Sequence, residues 1–334
     1  MKRFLAGLFA LLLLSWGASA RAEVDRYVID LDVGDGFTMR GTVTAPLAHH
    51  GGHPRIAERL IVMLPGPTAN ADWFLIDADG YDAPAFLAEE DGDTVVALDP
   101  LGVGQSDGPA DGSITDTDWQ LPYMRNALWQ LRLRFLAAKV GVYGEGGLGG
   151  ELAIKLAGDP LAPLFVNWVS ASAMLYREST DFTRAAAMSP EAQAGLDFIK
   201  QVFGGYLPTE AANYDGFLAN AGASQDVIDF THATQPGLYA TGPMRSLAFA
   251  DLPDHPLYDP RPAHVDALVF WGTADIVAMP GDVEEMTADY GSCGGGRARY
   301  VAINGGGHLM RLGPSANGPD SPFWSEFRQF ARHH

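Results

Sequence analysis

The chain is poor in cysteine, in basic charge and, beyond its first residues, in long apolar runs. Cys293 is the only cysteine among 334 residues, which excludes an internal disulfide and a structural zinc quartet of thiolates. It lies in a Gly-Ser-Cys-Gly-Gly-Gly stretch ahead of the last expected strand, away from the carboxyl ends of strands where such sheets gather their chemistry, and reads as a loop thiol. Lys and Arg number 22 against 41 Asp and Glu. So acidic a chain repels nucleic acid and anionic membrane surfaces, leaving a small-molecule substrate or ligand as the expected partner; the oligomeric state is not legible. There is no acidic block, no tandem repeat and no low-complexity segment. Three histidines in 49–53 are separated by two glycines, which give no rigid ligand geometry, so neither a metal nor a cofactor is expected.

What apolar run there is lies at the start. Lys2 and Arg3 precede an apolar stretch over 4–14, and small residues follow at 18–22. The run is too short to span a bilayer. It predicts a secretory signal peptide over 1–22 and a periplasmic or secreted mature protein with no membrane anchor. Removing it leaves 19 basic residues against 41 acidic.

In the remainder, short buried strands alternate with helical stretches. Residues 24–33 alternate apolar and polar, turn at Gly34-Asp35-Gly36 and return over 37–44 as a hairpin. Apolar strands are expected at 60–64, 94–98, 139–143, 165–169, 265–271 and 299–303, and helices at 118–138, from Gly149, at 282–290 and at 322–332. This is the rhythm of an α/β fold with a mostly parallel sheet and helices on both faces. Between Met174 and Pro262 the rhythm breaks into helical pieces (192–203, 210–219), aromatics and Pro/Gly breaks, with no clear buried strand. A helical cap inserted in the core is expected: core over 23–173, cap over 174–262, core again over 263–334.

The stretch VGVYGEGGLGGELAIKLAG (140–158) carries Gly144-x-Gly146-x-x-Gly149 between a strand and a helix. This is the dinucleotide-binding fingerprint, and it resembles the cofactor loop of medium-chain alcohol dehydrogenases. An NAD(P)-dependent oxidoreductase would also need an acid at the end of the next strand to hold the ribose. Asp159 comes too early for that and Glu178 too late.

Four places together resemble the α/β-hydrolase superfamily. Leu60 to Pro67 ends in Pro-Gly-Pro where that family has a strand ending in His-Gly. Asp99-x-x-Gly102-x-Gly104-x-Ser106 matches its D-x-x-G-x-G-x-S turn, whose Asp99 and Ser106 read as structural. Gly272-Thr-Ala-Asp275 and Gly305-Gly-Gly-His308 follow the last two strands, as the acid and histidine of the triad do, in the family's chain order. The resemblance implies an α/β-hydrolase fold and a His308–Asp275 hydrogen bond that sets the imidazole tautomer.

The departures fall on the chemistry. At the nucleophile position stands Gly147 when Leu148 and the helix are matched, or Gly146 when the strand is matched, as though the turn were one residue longer. Either glycine closes the acyl-enzyme route there. The oxyanion donor after Gly66 would be Pro67, which has no N–H; Thr68 or Ala69 could replace it. Glu145 sits in the turn as a candidate nucleophile or base. Three functions follow: hydrolase-like chemistry on a small apolar ester-type substrate by the His308–Asp275 pair; a catalytically inactive ligand-binding or scaffold protein; and the oxidoreductase.

Overall fold

The computed structural model describes residues 24–47, 56–176, 189–244 and 258–334. The expected signal peptide, the histidines of 49–53 and Phe182 of the cap lie outside them.

The chain opens with a hairpin, β1 (Val24–Gly34) and β2 (Phe37–Pro46), and continues through β3 (Arg59–Leu64), helix α1 (Ala83–Asp91), β4 (Thr94–Leu98), α2 (Thr117–Arg134), β5 (Lys139–Glu145), α3 (Glu151–Gly158), the one-turn α4 (Ala162–Phe165) and β6 (Trp168–Ser172). Between β6 and the last two strands come α5 (Pro190–Phe203), β7 (Tyr206–Thr209), α6 (Asp215–Ala221), α7 (Gln225–Thr234) and β8 (Gly237–Ala240). The core resumes with β9 (Asp266–Gly272), α8 (Pro280–Asp289), β10 (Ala298–Ile303) and α9 (Pro322–His333). Eight strands form one sheet in the order β1-β2-β4-β3-β5-β6-β9-β10. β1, β2 and β4 pair antiparallel, and all pairings from β4 to β10 are parallel.

Because successive strand residues point to opposite faces, β3 feeds two cores. Leu60, Val62 and Leu64 join Leu128, Leu131, Leu152 and Met286 of α2, α3 and α8 on one face. Ile61 and Met63 join Phe86, Phe323, Trp324 and Phe327 of α1 and α9 on the other. Helix starts follow their capping residues: Asp82 accepts from Ala85 N–H and Asp116 from Trp119 N–H. The α1 cap and the left-handed Gly92 that ends that helix were readable stop signals, yet α1 was not among the expected helices.

Two expectations are corrected. The strand placed at 165–169 begins at Trp168, because Pro163 opens the helical turn Ala162–Phe165 and Asn167 pins the strand entry: its N–H donates to Val140 O at 2.7 Å and its Oδ1 accepts from Val140 N–H at 2.8 Å. The strand then runs through small residues that read as a loop. Within 174–262 the described residues hold a strand pair, β7–β8, that was not expected; its four-residue strands are 27 residues apart and one contains Pro208. No helix of the described residues is long and apolar enough to cross a membrane.

Candidate active site

The parallel strands deliver their carboxyl ends to one edge, and the loops there enclose a cavity of about 280 Å3. Its walls come from Gly66 to Ala69 after β3, Gly146 and Gly147 after β5, Ala173 and Leu175 after β6, Tyr214, Phe217 and Met244 of the insertion, Val277 after β9, and His308 and Leu309 after β10. Most of these are apolar.

The acid and the histidine meet in three dimensions. His308 Nδ1 lies 3.0 Å from both carboxylate oxygens of Asp275. Asp275 Oδ1 also accepts from the N–H groups of Val277 (2.7 Å) and Ala278 (2.9 Å), and its side chain is fully buried. A carboxylate so held is fixed in orientation and holds the imidazole as the Nδ1–H tautomer, leaving Nε2 as the basic nitrogen. The two loops are knitted together: Ala274 N–H donates to Gly306 O (2.8 Å) and Gly305 N–H to Thr273 Oγ1 (2.8 Å). Gly272 permits the approach, since a Cβ there would stand 2.2 Å from Gly306 O.

The turn after β5 is a strand-to-helix elbow. Of the two candidate glycines, Gly146 is the one with left-handed φ (+60°). Gly146–Gly150 form a π-helical turn, wider by one residue than an α turn, and this takes up the extra residue. The other glycines serve contact: a Cβ on Gly144 would lie 1.9 Å from Gly149 O, one on Gly149 2.2 Å from Leu64 O, and one on Gly150 2.2 Å from Met174 Sδ. The fingerprint spacing is thus accounted for by packing of elbow, strand and helix. Gly146 differs: a Cβ there would meet only Pro67 Cδ at 3.3 Å and Gly66 Cα at 3.7 Å.

Glu145 is 3 % exposed. Its Oε1 accepts from Arg311 Nε (2.6 Å) and Tyr143 Oη (2.8 Å), and its Oε2 from Trp73 Nε1 (2.8 Å). Arg311, buried in turn, donates through Nη2 to Trp73 O (2.7 Å) and lies 4.6 Å from the centre of the Phe74 ring. Burial, then the charge of Glu145, pushes the Tyr143 hydroxyl well up, so it stays a donor. Both oxygens of Glu145 are committed to this network, and attack on a substrate carbonyl would break a buried ion pair.

The loop after β3 carries Thr68 at φ +66°, a costly conformation for a β-branched residue. Three contacts pin it from outside: Tyr214 Oη donates to Thr68 O (2.6 Å), Asn70 N–H to Gln235 Oε1 (2.9 Å) and Ala71 N–H to Asp99 Oδ1 (2.6 Å). Ala69 N–H is spent on Gly66 O at 3.3 Å. Thr68 N–H has no acceptor among the described residues. Asp99 and Ser106 order their turn: Asp99 Oδ2 accepts from Gln105 N–H (2.9 Å) and Ser106 Oγ donates to Asp99 O (2.6 Å). Burial pushes the Asp99 carboxyl up to about 6 against those two N–H donors.

Sequence reasoning missed Arg311, Trp73 and Asn220. Asn220 Oδ1 accepts from His308 N–H (2.7 Å) and its Nδ2 donates to Ala274 O (3.0 Å). Of the insertion's aromatics, Tyr214 and Phe217 line the cavity, Tyr176 is buried, and Phe198 and Phe203 are exposed on α5 rather than packed inward. The described residues hold no cluster of ligating side chains suited to a metal ion, and Cys293 is exposed in its loop.

No protein-family model and no curated protein matches the sequence. Solved structures do match. An α/β-hydrolase, GrgF from Penicillium sp. sh18, is 18% identical, covering 93% of this chain and 99% of that one at a TM-score of 0.64. The esterase EaEST from Exiguobacterium antarcticum is 19% identical over 91% and 96% (TM-score 0.58). The enol-lactonase from Burkholderia xenovorans LB400 is 16% identical over 91% and 97% (TM-score 0.55). These likenesses, with the mostly parallel eight-stranded sheet, show that the chain has the α/β-hydrolase fold.

Proposed function

We propose that the protein is an exported hydrolase-like enzyme acting on a small apolar ester-type substrate, with His308 and Asp275 as its working pair and no side-chain nucleophile at the elbow. The observation that carries this reading is the buried Asp275 carboxylate, held by two backbone N–H groups and 3.0 Å from the Nδ1 of His308, which itself lines an apolar cavity. A satisfied loop histidine needs no such support.

His308 Nε2 takes a proton from water in the cavity, and the hydroxide oxygen adds to the ester carbonyl carbon. The tetrahedral intermediate collapses by breaking the bond to the alkoxy oxygen, which leaves as the alcohol with the proton that His308 returns. Asp275 stabilises the imidazolium between these steps. Thr68 N–H supplies the carbonyl-oxygen donor that Pro67 lacks, and Glu145 holds the base of the elbow through its buried pair.

The test is hydrolysis of short-chain activated esters by the mature protein beside His308→Ala. General-base catalysis contributes roughly 100- to 10,000-fold, so the variant is expected to fall to background. Turnover equal to wild type in the variant overturns the assignment.

Gly146 and Pro67 favour a second reading, a ligand-binding protein that kept the pocket without the chemistry. It expects saturable binding of an apolar acyl compound, unchanged in His308→Ala, with no turnover by either protein.

A further inference from the structure

We infer that Asn220, on helix α6 of the insertion, is a positioning residue that sets the His308–Asp275 pair, making the insertion a working part of the site as well as its roof. This rests on the catalytic reading above for its effect on turnover, but not for its effect on the hydrogen bond.

Neither loop end that carries the pair is held by sheet hydrogen bonding. His308 follows three glycines after β10, a run with wide backbone freedom. Asp275 lies three residues beyond β9. One amide bridges them: Asn220 Oδ1 accepts from His308 N–H at 2.7 Å, and Asn220 Nδ2 donates to Ala274 O, next to Asp275, at 3.0 Å. A single side chain thus adds to the Ala274–Gly306 and Gly305–Thr273 bonds between the two loops a tie on His308 itself, joining its backbone to the residue beside Asp275.

The helix that presents Asn220 is built to hold that position. Leu218 and Ala221 are buried with Trp73, Tyr81 and Leu312. Two glycines let the chain after β10 run against the end of the helix: a Cβ on Gly307 would stand 2.3 Å from Asn220 O, and one on Gly313 2.0 Å from Ala221 O. One turn back on the same face, Phe217 lies over the imidazole, ring centres 5.7 Å apart and planes tilted by 37°. Residues three apart share a helix face, so α6 offers His308 both an apolar cover and a backbone anchor.

The bond between His308 Nδ1–H and Asp275 can be read directly, as the downfield proton resonance of that N–H in the full-length mature protein, assigned by its loss in His308→Ala. Asn220→Ala is expected to broaden or abolish the resonance, and to lower kcat about tenfold with KM within twofold. Asn220→Asp keeps the acceptor for His308 N–H and loses the donor to Ala274. It is expected to retain the resonance at reduced intensity and an intermediate kcat. If Asn220→Ala does not fold, Asn220→Ser, which can keep one of the two contacts, takes its place with the same expectation as the aspartate. An unchanged resonance in a folded Asn220→Ala protein overturns the inference, whether or not any ester is turned over. Absence of turnover in wild type with the resonance lost in Asn220→Ala would instead overturn the catalytic reading and leave the positioning role standing.

Discussion

Gly146 occupies an elbow whose backbone is already in the left-handed region (φ +60°), and a Cβ there meets nothing closer than Pro67 Cδ at 3.3 Å. An L side chain in that region costs roughly 1–2 kcal/mol, which a folded domain tolerates. Gly146→Ser is therefore expected to fold with a melting temperature a few degrees lower. It would carry a hydroxyl on the wall shared with His308 and become labelled by a fluorophosphonate that leaves wild type untouched. Lack of labelling in a folded variant would mean that His308 and the elbow are not aligned for a serine. The neighbouring Gly144 and Gly149 allow no such change, because backbone oxygens stand 1.9 and 2.2 Å from an added carbon. At the same scale Glu145 shows why residue type alone misleads. A carboxylate beside an elbow suggests a nucleophile, but three donors from three parts of the chain, Trp73, Tyr143 and Arg311, take up its oxygens.

Among the elements, the turn after β4 is one of the supports of the loop above the cavity. Asp99 spans two loops, accepting from Gln105 N–H and Ala71 N–H, and Gly104 at φ +55° closes over its carboxylate. Burial raises the Asp99 carboxyl to about 6, above the usual value near 4. A folded pKa above the unfolded one means that the folded state holds the proton more tightly. The associated stabilisation is complete below about pH 4 and is lost as pH rises through about 6. Asn at this position does not titrate. Between pH 4 and 7.5 wild type is expected to lose stability relative to Asp99→Asn by up to about 3 kcal/mol, measured by denaturant unfolding of both proteins across that range. A difference that does not change with pH would show that the two N–H donors fully offset the burial.

For the molecule as a whole, the sheet carries the site and the insertion closes it. α6 and Tyr214 reach the loops after β3, β9 and β10 through Thr68, Ala274 and His308. Export remains a proposal that rests on the basic start, the apolar run over 4–14 and the small residues after it. The protein expressed with its full leader in an exporting host is expected to have an intact mass that begins within residues 21–23. Recovery of the uncleaved mass from the exported fraction would count against a cleaved signal.

Much of this was legible in the chain. The buried strands are short, apolar and spaced by helices, so their alternation implied a parallel sheet. Gly-x-x-Asp275 and Gly-Gly-Gly-His308 follow strands, so their place at the carboxyl edge came with the sheet. The absence of a side chain at the elbow, of an N–H at Pro67 and of paired cysteines needs no coordinates. Tertiary structure decided what depends on distant partners. Asn220 touches groups 54 and 88 residues away, and Arg311 meets Glu145 across 166; no local pattern marks either. β6 began three residues late because a proline turn and the pairing of Asn167 with Val140 set its entry, while its Ser and Ala residues have weak strand preference of their own. That Gly146 and not Gly147 takes the left-handed φ, at the start of the π-helical turn, is a backbone choice that neither the strand nor the helix pattern reveals. Local periodicity and residue chemistry are written along the chain, whereas the partner of a buried polar group is set only when the sheet brings remote loops together.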